Sequence, residues 1–200
     1  VKQFSISILL CFLFASCHKD NSSQTQFSVA DFPIKEGNWW RYKKSNIQNN
    51  IIDTIRLRVI KLNANGVSKE YACIIEKGGQ IVDSATLTLD PNLIKYQGAD
   101  LEYSYFCNFF IQMPFSVTSS WKNQAVSDST KVVAYISGEN INGKSYNTYL
   151  LERKASGPNF GLQQTISVAK GIGIVVHELS LFNLGPVQHY KLELIDYDVN

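Results

Sequence analysis

Imidazole, thiol and paired carboxylates are the groups in this chain that could do chemistry, and each is sparse. Of three histidines, His18 precedes the patterned part of the chain, which leaves His177 and His189 for acid–base or ligand work. The run His177-Glu178-Leu179-Ser180-Leu181 opens like a zinc-protease motif. That chemistry needs a second histidine one helical turn on, and none is there. A loop over residues 183–186 joins strand-like runs at 173–182 and 187–199. It pairs Phe182 with Val187, Ser180 with His189 and His177 with Leu192. Side chains alternate along a strand, so this register turns the two imidazoles to opposite faces of the sheet, against a shared site. Asp196 and Asp198 share one strand face, but glycosidase carboxylates flank a cleft at about 5–9.5 Å, whereas an i,i+2 pair at a strand end reads as a solvated edge. Gly171-Ile172-Gly173 lacks the third glycine and the helix of a dinucleotide fingerprint, and neither a Walker loop nor a G-x-S-x-G elbow occurs. These residues predict no catalytic group, no cofactor and no metal site.

The amino-terminal residues carry an address. Lys2 precedes a short apolar run over residues 4–14, and the small residues Ala15 and Ser16 precede Cys17. A charged start, a short apolar stretch and a small-residue cut site make a secretory signal. The run has 11 residues, short of the roughly 20 that span a bilayer as a helix. Phe14-Ala15-Ser16-Cys17 resembles the lipobox of bacterial lipoproteins. The resemblance implies that Cys17 is acylated, with palmitate among its chains, becomes the mature amino terminus and holds the protein to the membrane. Lys19-Asp20 resembles the short export signal of Bacteroidetes surface lipoproteins. The implied location is the bacterial outer membrane, facing the periplasm or the cell surface. Residues 18–26 contain no apolar side chain, and such a tether reaches about 30 Å when extended.

Four cysteines are present; Cys11 leaves with the signal and Cys17 carries the lipid. Cys73 and Cys107 both lie in apolar surroundings. They read either as buried free thiols acting as small hydrophobes or as a disulfide, which an exported protein permits. On the chain-entropy model a bridge of that span stabilises by about 3–4 kcal/mol. Neither has the short C-x-x-C spacing of a metal or redox pair.

Behind these groups the chain is a sheet. Charged residues are 18%, apolar residues 44% and aromatics 12% of 200 residues, enough apolar side chain to bury a core. The formal charge of +2 comes from interleaved, not clustered, charges, so the basic face that a nucleic acid requires is absent. Period-two patterning runs from residue 38 onward, with strands meeting at Gly78-Gly79, ending at Asp90-Pro91-Asn92, and flanking a turn at residues 138–143. Apolar positions shift from even (Tyr190, Leu192, Leu194) to odd (Ile195, Tyr197, Val199), which calls for a β-bulge near Leu194-Ile195. Helix signals are confined to Val29-Ala30-Asp31 and residues 101–111, the latter a buried strand or a short covering helix. Phe32-Pro33 precedes Trp40 as Met113-Pro114 precedes Trp121, an interval of 81 residues. Two related half-units or coincidence in an aromatic-rich chain both account for it. The fold class is all-β, an antiparallel sandwich or a partly open barrel-like sheet with little helix.

Residues 32–42, Phe32-Pro33-Ile34-Lys35-Glu36-Gly37-Asn38-Trp39-Trp40-Arg41-Tyr42, resemble the opening of many uncharacterised Bacteroidetes lipoproteins. Lys170-Gly171-Ile172-Gly173-Ile174-Val175-Val176-His177-Glu178 and the final strand resemble their closing hairpin. The resemblance implies a β-rich envelope domain and carries no activity. The organisation expected is a lipoprotein signal peptide at 1–16, a lipidated cysteine and flexible tether at 17–30 and one β-rich domain at 31–200. The function expected is a lipid-anchored, non-catalytic binding or structural module whose partner, beyond the membrane, is a protein, glycan or hydrophobic small molecule. A carrier of a hydrophobic ligand, which needs an apolar pocket of about 300–1,000 Å³, and a surface glycan-binding or adhesion module are the alternatives, ahead of an enzyme.

Overall fold

Among the described residues the period-two runs become twelve strands. The computed structural model describes residues 26–200 apart from 47, 49–50, 99–107, 123–126, 159 and 183–186. The strands are β1 (Trp39–Asn46), β2 (Ile51–Asn65), β3 (Lys69–Lys77), β4 (Gln80–Asp90), β5 (Leu93–Gly98), β6 (Phe109–Gln112), β7 (Ser120–Lys122), β8 (Asp128–Ile141), β9 (Lys144–Gly157), β10 (Phe160–Ala169), β11 (Gly173–Phe182) and β12 (Gln188–Asp198). All pair antiparallel in one sheet of order β6-β5-β4-β3-β2-β1-β12-β11-β10-β9-β8-β7. The sheet curls into a nearly closed barrel, which decides between sandwich and barrel. Among the described residues helix is limited to one 3₁₀ turn, Val29–Asp31, where Ser28 N–H donates to Asp31 Oδ2 at 2.8 Å.

Two readings change in detail. Of residues 101–111, 109–111 belong to strand β6 and 101–107 lie outside the described residues. Residues 138–143 are not a loop. β8 runs on to Ile141 and turns at Asn142-Gly143, both at positive φ (49° and 80°), the two-residue geometry whose twist suits a hairpin. Gly138 instead sits within β8 at φ 72°, where the register with β9 slips between Ile136 and Glu139. A strand glycine often marks such a bulge.

The first strand pairs with the last. The β1–β12 ladder runs from Trp39 opposite Asp198 to Asn46 opposite Tyr190, and Ile195 is skipped between the Arg41–Asp196 and Tyr42–Leu194 pairs. This is the bulge that the change of phase demands. Trp40 and Tyr42 point inward; Trp40 Nε1 donates to Ile172 O at 2.6 Å and the Tyr42 hydroxyl to Ile174 O at 2.9 Å. Both bonds reach over β12 to the β10–β11 turn and the start of β11. Gly173 begins β11 at a φ of 98°, the left-handed region that favours glycine; a Cβ there would meet Phe32 and Trp40 only at the ordinary contact distance of 3.6–3.7 Å. Trp39 faces outward, half-buried under the Arg56 guanidinium at 5.0 Å.

The interval of 81 residues has a structural counterpart. β1–β6 and β7–β12 are two six-stranded meanders, and a shift of 81 residues lays each strand of the first over its counterpart in the second. Their entries are bonded alike. Gly37 N–H donates to Val59 O (2.9 Å), Asn38 N–H to Lys35 O (3.2 Å) and Val59 N–H to Asn38 O (2.9 Å). Thr118 donates to Val132 O (3.2 Å), Ser119 to Ser116 O (3.1 Å) and Val132 to Ser119 O (2.7 Å). Gly37 and Thr118 both sit at positive φ, 90° and 77°, and Trp40 and Trp121 follow them into the core.

Both ends of the described chain lie at one end of the barrel. Asn200 N–H donates to Asn38 Oδ1 at 3.3 Å and Gly171 N–H to Asp31 O at 2.8 Å. Phe27, within the stretch read as tether, is fully buried and bridges to Phe115.

Two outcomes follow for stability. Trp40→Ala should cost about 3–5 kcal/mol and Trp39→Ala about 1 kcal/mol, read as the difference between their urea midpoints; equal losses would contradict this assignment of faces. Gly37→Ala should cost about 1–2 kcal/mol through backbone conformation alone, because a Cβ there meets nothing within 4 Å. Thr118→Asn, a residue that tolerates positive φ, should leave stability unchanged or raise it in the same assay.

Candidate functional site

The β11–β12 hairpin has the register that its loop length dictates: His177 lies opposite Leu192 and Ser180 opposite His189. The two histidines therefore part company. His189 is on the outer face, half-buried, with Nε2 2.7 Å from Glu178 Oε1, while His177 points inward and is 3% exposed. Asp196 takes Arg41 at 3.2 Å and Lys144 at 3.9 Å on the outside; Asp198 is exposed at the strand end. Cys73 is buried, and burial pushes its thiol up to about 12, so it is an inert small hydrophobe near neutral pH. Cys17 and Cys107 lie outside the described residues.

His177 is one end of a polar string inside the barrel. Along β9 the inward positions are Tyr149, Leu151 and Arg153, opposite Val168, Ile166 and Gln164 of β10. The third inward side chain is thus a guanidinium. Its Nε and Nη2 donate to the two oxygens of Asp128 at 2.9 and 2.7 Å, the planar fork that suits a carboxylate. Its Nη1 donates to Asn108 O at 2.5 Å and to Gln164 Oε1 at 3.4 Å. With Oε1 turned to Arg153, the amide Nε2 of Gln164 faces His177 Nε2 at 2.7 Å and donates to it. Arg153 thereby orients the amide, and the amide fixes the neutral imidazole tautomer with its proton on Nδ1. Burial, and then the charge of Arg153, press the His177 pKa down to about 4.

A second inward group lies at the same end of the barrel on the other half. Lys77 Nζ is 2.9 Å from Asp53 Oδ2, and Lys44 Nζ sits 4.9 Å above the Tyr190 ring. Burial pulls the Lys44 pKa down; Asp53 opposes this and Lys77 adds to it. The signal for Arg153 was available in its phase. It continues the inward series of Tyr149 and Leu151, but charge in a strand is ordinarily read as outward-facing.

These groups hold one another. Nε and both terminal nitrogens of Arg153 are hydrogen-bonded, and His177 Nε2 accepts from Gln164 instead of standing ready as a base. A small apolar space among the described residues, bounded by Phe32, Trp40, Tyr42, Leu57, Tyr96 and Phe109, is about 20 Å³, of the order of one water molecule. Two larger hollows are also present among the described residues. One of about 410 Å³ lies over β7–β9, among Lys122, Lys131, Glu152 and Lys154.

No protein-family model matches the chain, and no curated protein matches it. Among solved structures, a candidate exported protein with a YmcC-like fold from Bacteroides fragilis NCTC 9343 superposes with a TM-score of 0.52 at 13% identity, over 87% of this chain and 100% of that one. The chain shares the YmcC-like fold. A lipoprotein candidate from Parabacteroides distasonis ATCC 8503 gives a TM-score of 0.47 at 12% identity, over 88% of this chain and 100% of that one.

Acid should find the string first. The folded pKa of His177 lies below the ordinary value of 6.5, so the unfolded chain takes the proton first. Its contribution is intact above about pH 6.5 and is lost as pH falls toward 4. At pH 4.5 the loss from this group is on the order of 2–3 kcal/mol. Urea unfolding at pH 7.5 and 4.5 should show a larger acid-induced loss for the native chain than for His177→Gln. Equal losses would mean that His177 is not held neutral by its surroundings.

Proposed function

We propose that this chain is a lipid-anchored protein of the bacterial outer membrane, facing the periplasm or the cell surface, whose barrel is a non-catalytic binding or structural module. The leader, with Ala15-Ser16-Cys17 at its end, supports the anchor. The fold shared with a candidate exported protein of Bacteroides fragilis is consistent with an envelope location. The observation that carries the non-catalytic reading is the polar string: Asp128, Arg153, Gln164 and His177 bond to one another in sequence. A general base needs an available lone pair near the working pH, and a histidine pressed to about 4 that accepts from a fixed amide does not offer one.

Between the binding alternatives, we favour a polar partner at the surface. A hydrophobic carrier needs hundreds of cubic ångströms of apolar pocket, and the apolar space among Phe32, Trp40, Tyr96 and Phe109 is about 20 Å³. The open hollow over β7–β9, which mixes three lysines with Glu152 and two serines, suits a polar partner better than a lipid.

Metabolic labelling with an alkyne palmitate tests the anchor. Cys17→Ser should abolish the label and leave an uncleaved precursor or a soluble product. Undiminished labelling of that variant would remove the lipoprotein reading.

A further inference from the structure

A closed ring of twelve strands needs twelve ladders, and among the described residues this sheet has eleven. Among the described residues β6 and β7 are not paired, although only residues 113–119 separate them. An amino-terminal strap, residues 26–34, fills part of the junction. Phe27 exchanges both backbone hydrogen bonds with Phe115, at 2.8 and 3.0 Å. Its ring stacks on Phe115 at 4.9 Å and meets Tyr149 of β9 edge-on at 5.7 Å. Phe115 in turn meets Tyr149 at 5.5 Å and Trp121 of β7 at 6.5 Å. One buried ring therefore touches both the β6–β7 connection and the far wall of the second meander. The strap is pinned beside the β10–β11 turn: Lys170 Nζ donates to Gln26 O at 2.8 Å and lies 3.3 Å from Asp31, whose carbonyl accepts from Gly171 N–H at 2.8 Å.

The two junctions between the meanders are thus unlike. One is the eight-residue β1–β12 ladder. The other is closed by the Phe27–Phe115 bridge and its stacked rings near one end and by the Arg153 bond to Asn108 O near the other. Parting β6 from β7 breaks no ladder between them among the described residues, and local opening is least costly where few bonds are lost. We propose that residues 26–34 are a latch: with Phe27 seated the seam between β6 and β7 is shut, and release of the strap lets these two strands part while β1 and β12 stay paired. Opening exposes the inward faces of Phe109, Ile111 and Trp121. The latch does not depend on the lipid on Cys17, although the strap is the segment into which the tether runs.

Amide hydrogen exchange of the full chain, followed by mass spectrometry, tests the latch. Phe27→Ala should speed exchange in Phe109–Gln112 and Ser120–Lys122 at least tenfold, with β1 and β12 at native rates. Ile55→Ala, a truncation of a fully buried side chain on β2, four ladders from β6, should show no preference for β6 and β7. Equal acceleration of β1 and β12 by Phe27→Ala, or native rates at β6 and β7, would overturn the proposal. If Phe27→Ala does not fold, Lys170→Met, which removes the pin and leaves the core intact, should give a smaller increase confined to the same two strands. Its absence would overturn the latch equally.

Discussion

The ladder between β1 and β12 joins the first strand of the chain to its last, and through them two meanders that would each otherwise leave an apolar face in water. A sheet must bury one face against something. Here each half covers the other, so the twelve strands share one core. The tryptophan and tyrosine of β1 reinforce the join by donating past β12 to the carbonyls of Ile172 and Ile174. The positive φ at which the chain enters β11 accounts for a glycine at position 173, and the bulge at Ile195 lets inward and outward side chains keep their sides across the same ladder. Core, turn and bulge are conditions of one pairing.

Much of this was legible because local constraints are strict in strands. Loop length set the His177–Leu192 register, the phase change at Leu194-Ile195 required a bulge, and alternation separated Trp39 from Trp40. Closure was not legible, because which distant strands meet is not encoded in the period of either. β6 was left between a strand and a short helix because residues 101–111 carry aromatics on both faces without a period. The β8–β9 turn was misplaced because Gly138 reads as a turn residue, whereas it serves a bulge and Asn142-Gly143 makes the turn. Arg153 and Asp128 escaped for a deeper reason: hydrophobic alternation assigns charged residues to solvent, and only the pairing of β8, β9 and β10 shows that these two point inward.

That inward pair illustrates how a buried charge is accommodated. A lone guanidinium in the core would be costly; one paired by a two-point fork to Asp128 and bonded to a carbonyl and an amide is tolerated. The arrangement restricts its neighbours in turn, because the amide has one orientation and the imidazole one tautomer. The polar string thereby specifies the relative placement of β8, β9, β10 and β11 in a way that interchangeable apolar contacts do not.

The shared position of the two ends of the chain has a mechanical consequence. Trp39 and Asp198 are the first pair of the closing ladder and lie nearest to both exits. Once the strap is free, tension applied between residue 38 and residue 200 reaches β1 and β12 at their adjacent ends, so the ladder is loaded in peeling rather than in shear. Its hydrogen bonds then bear the force one after another, beginning at Trp39–Asp198, instead of sharing it along eight residues. The join that organises the barrel against solvent is, under tension, a zipper with both tabs at the same end.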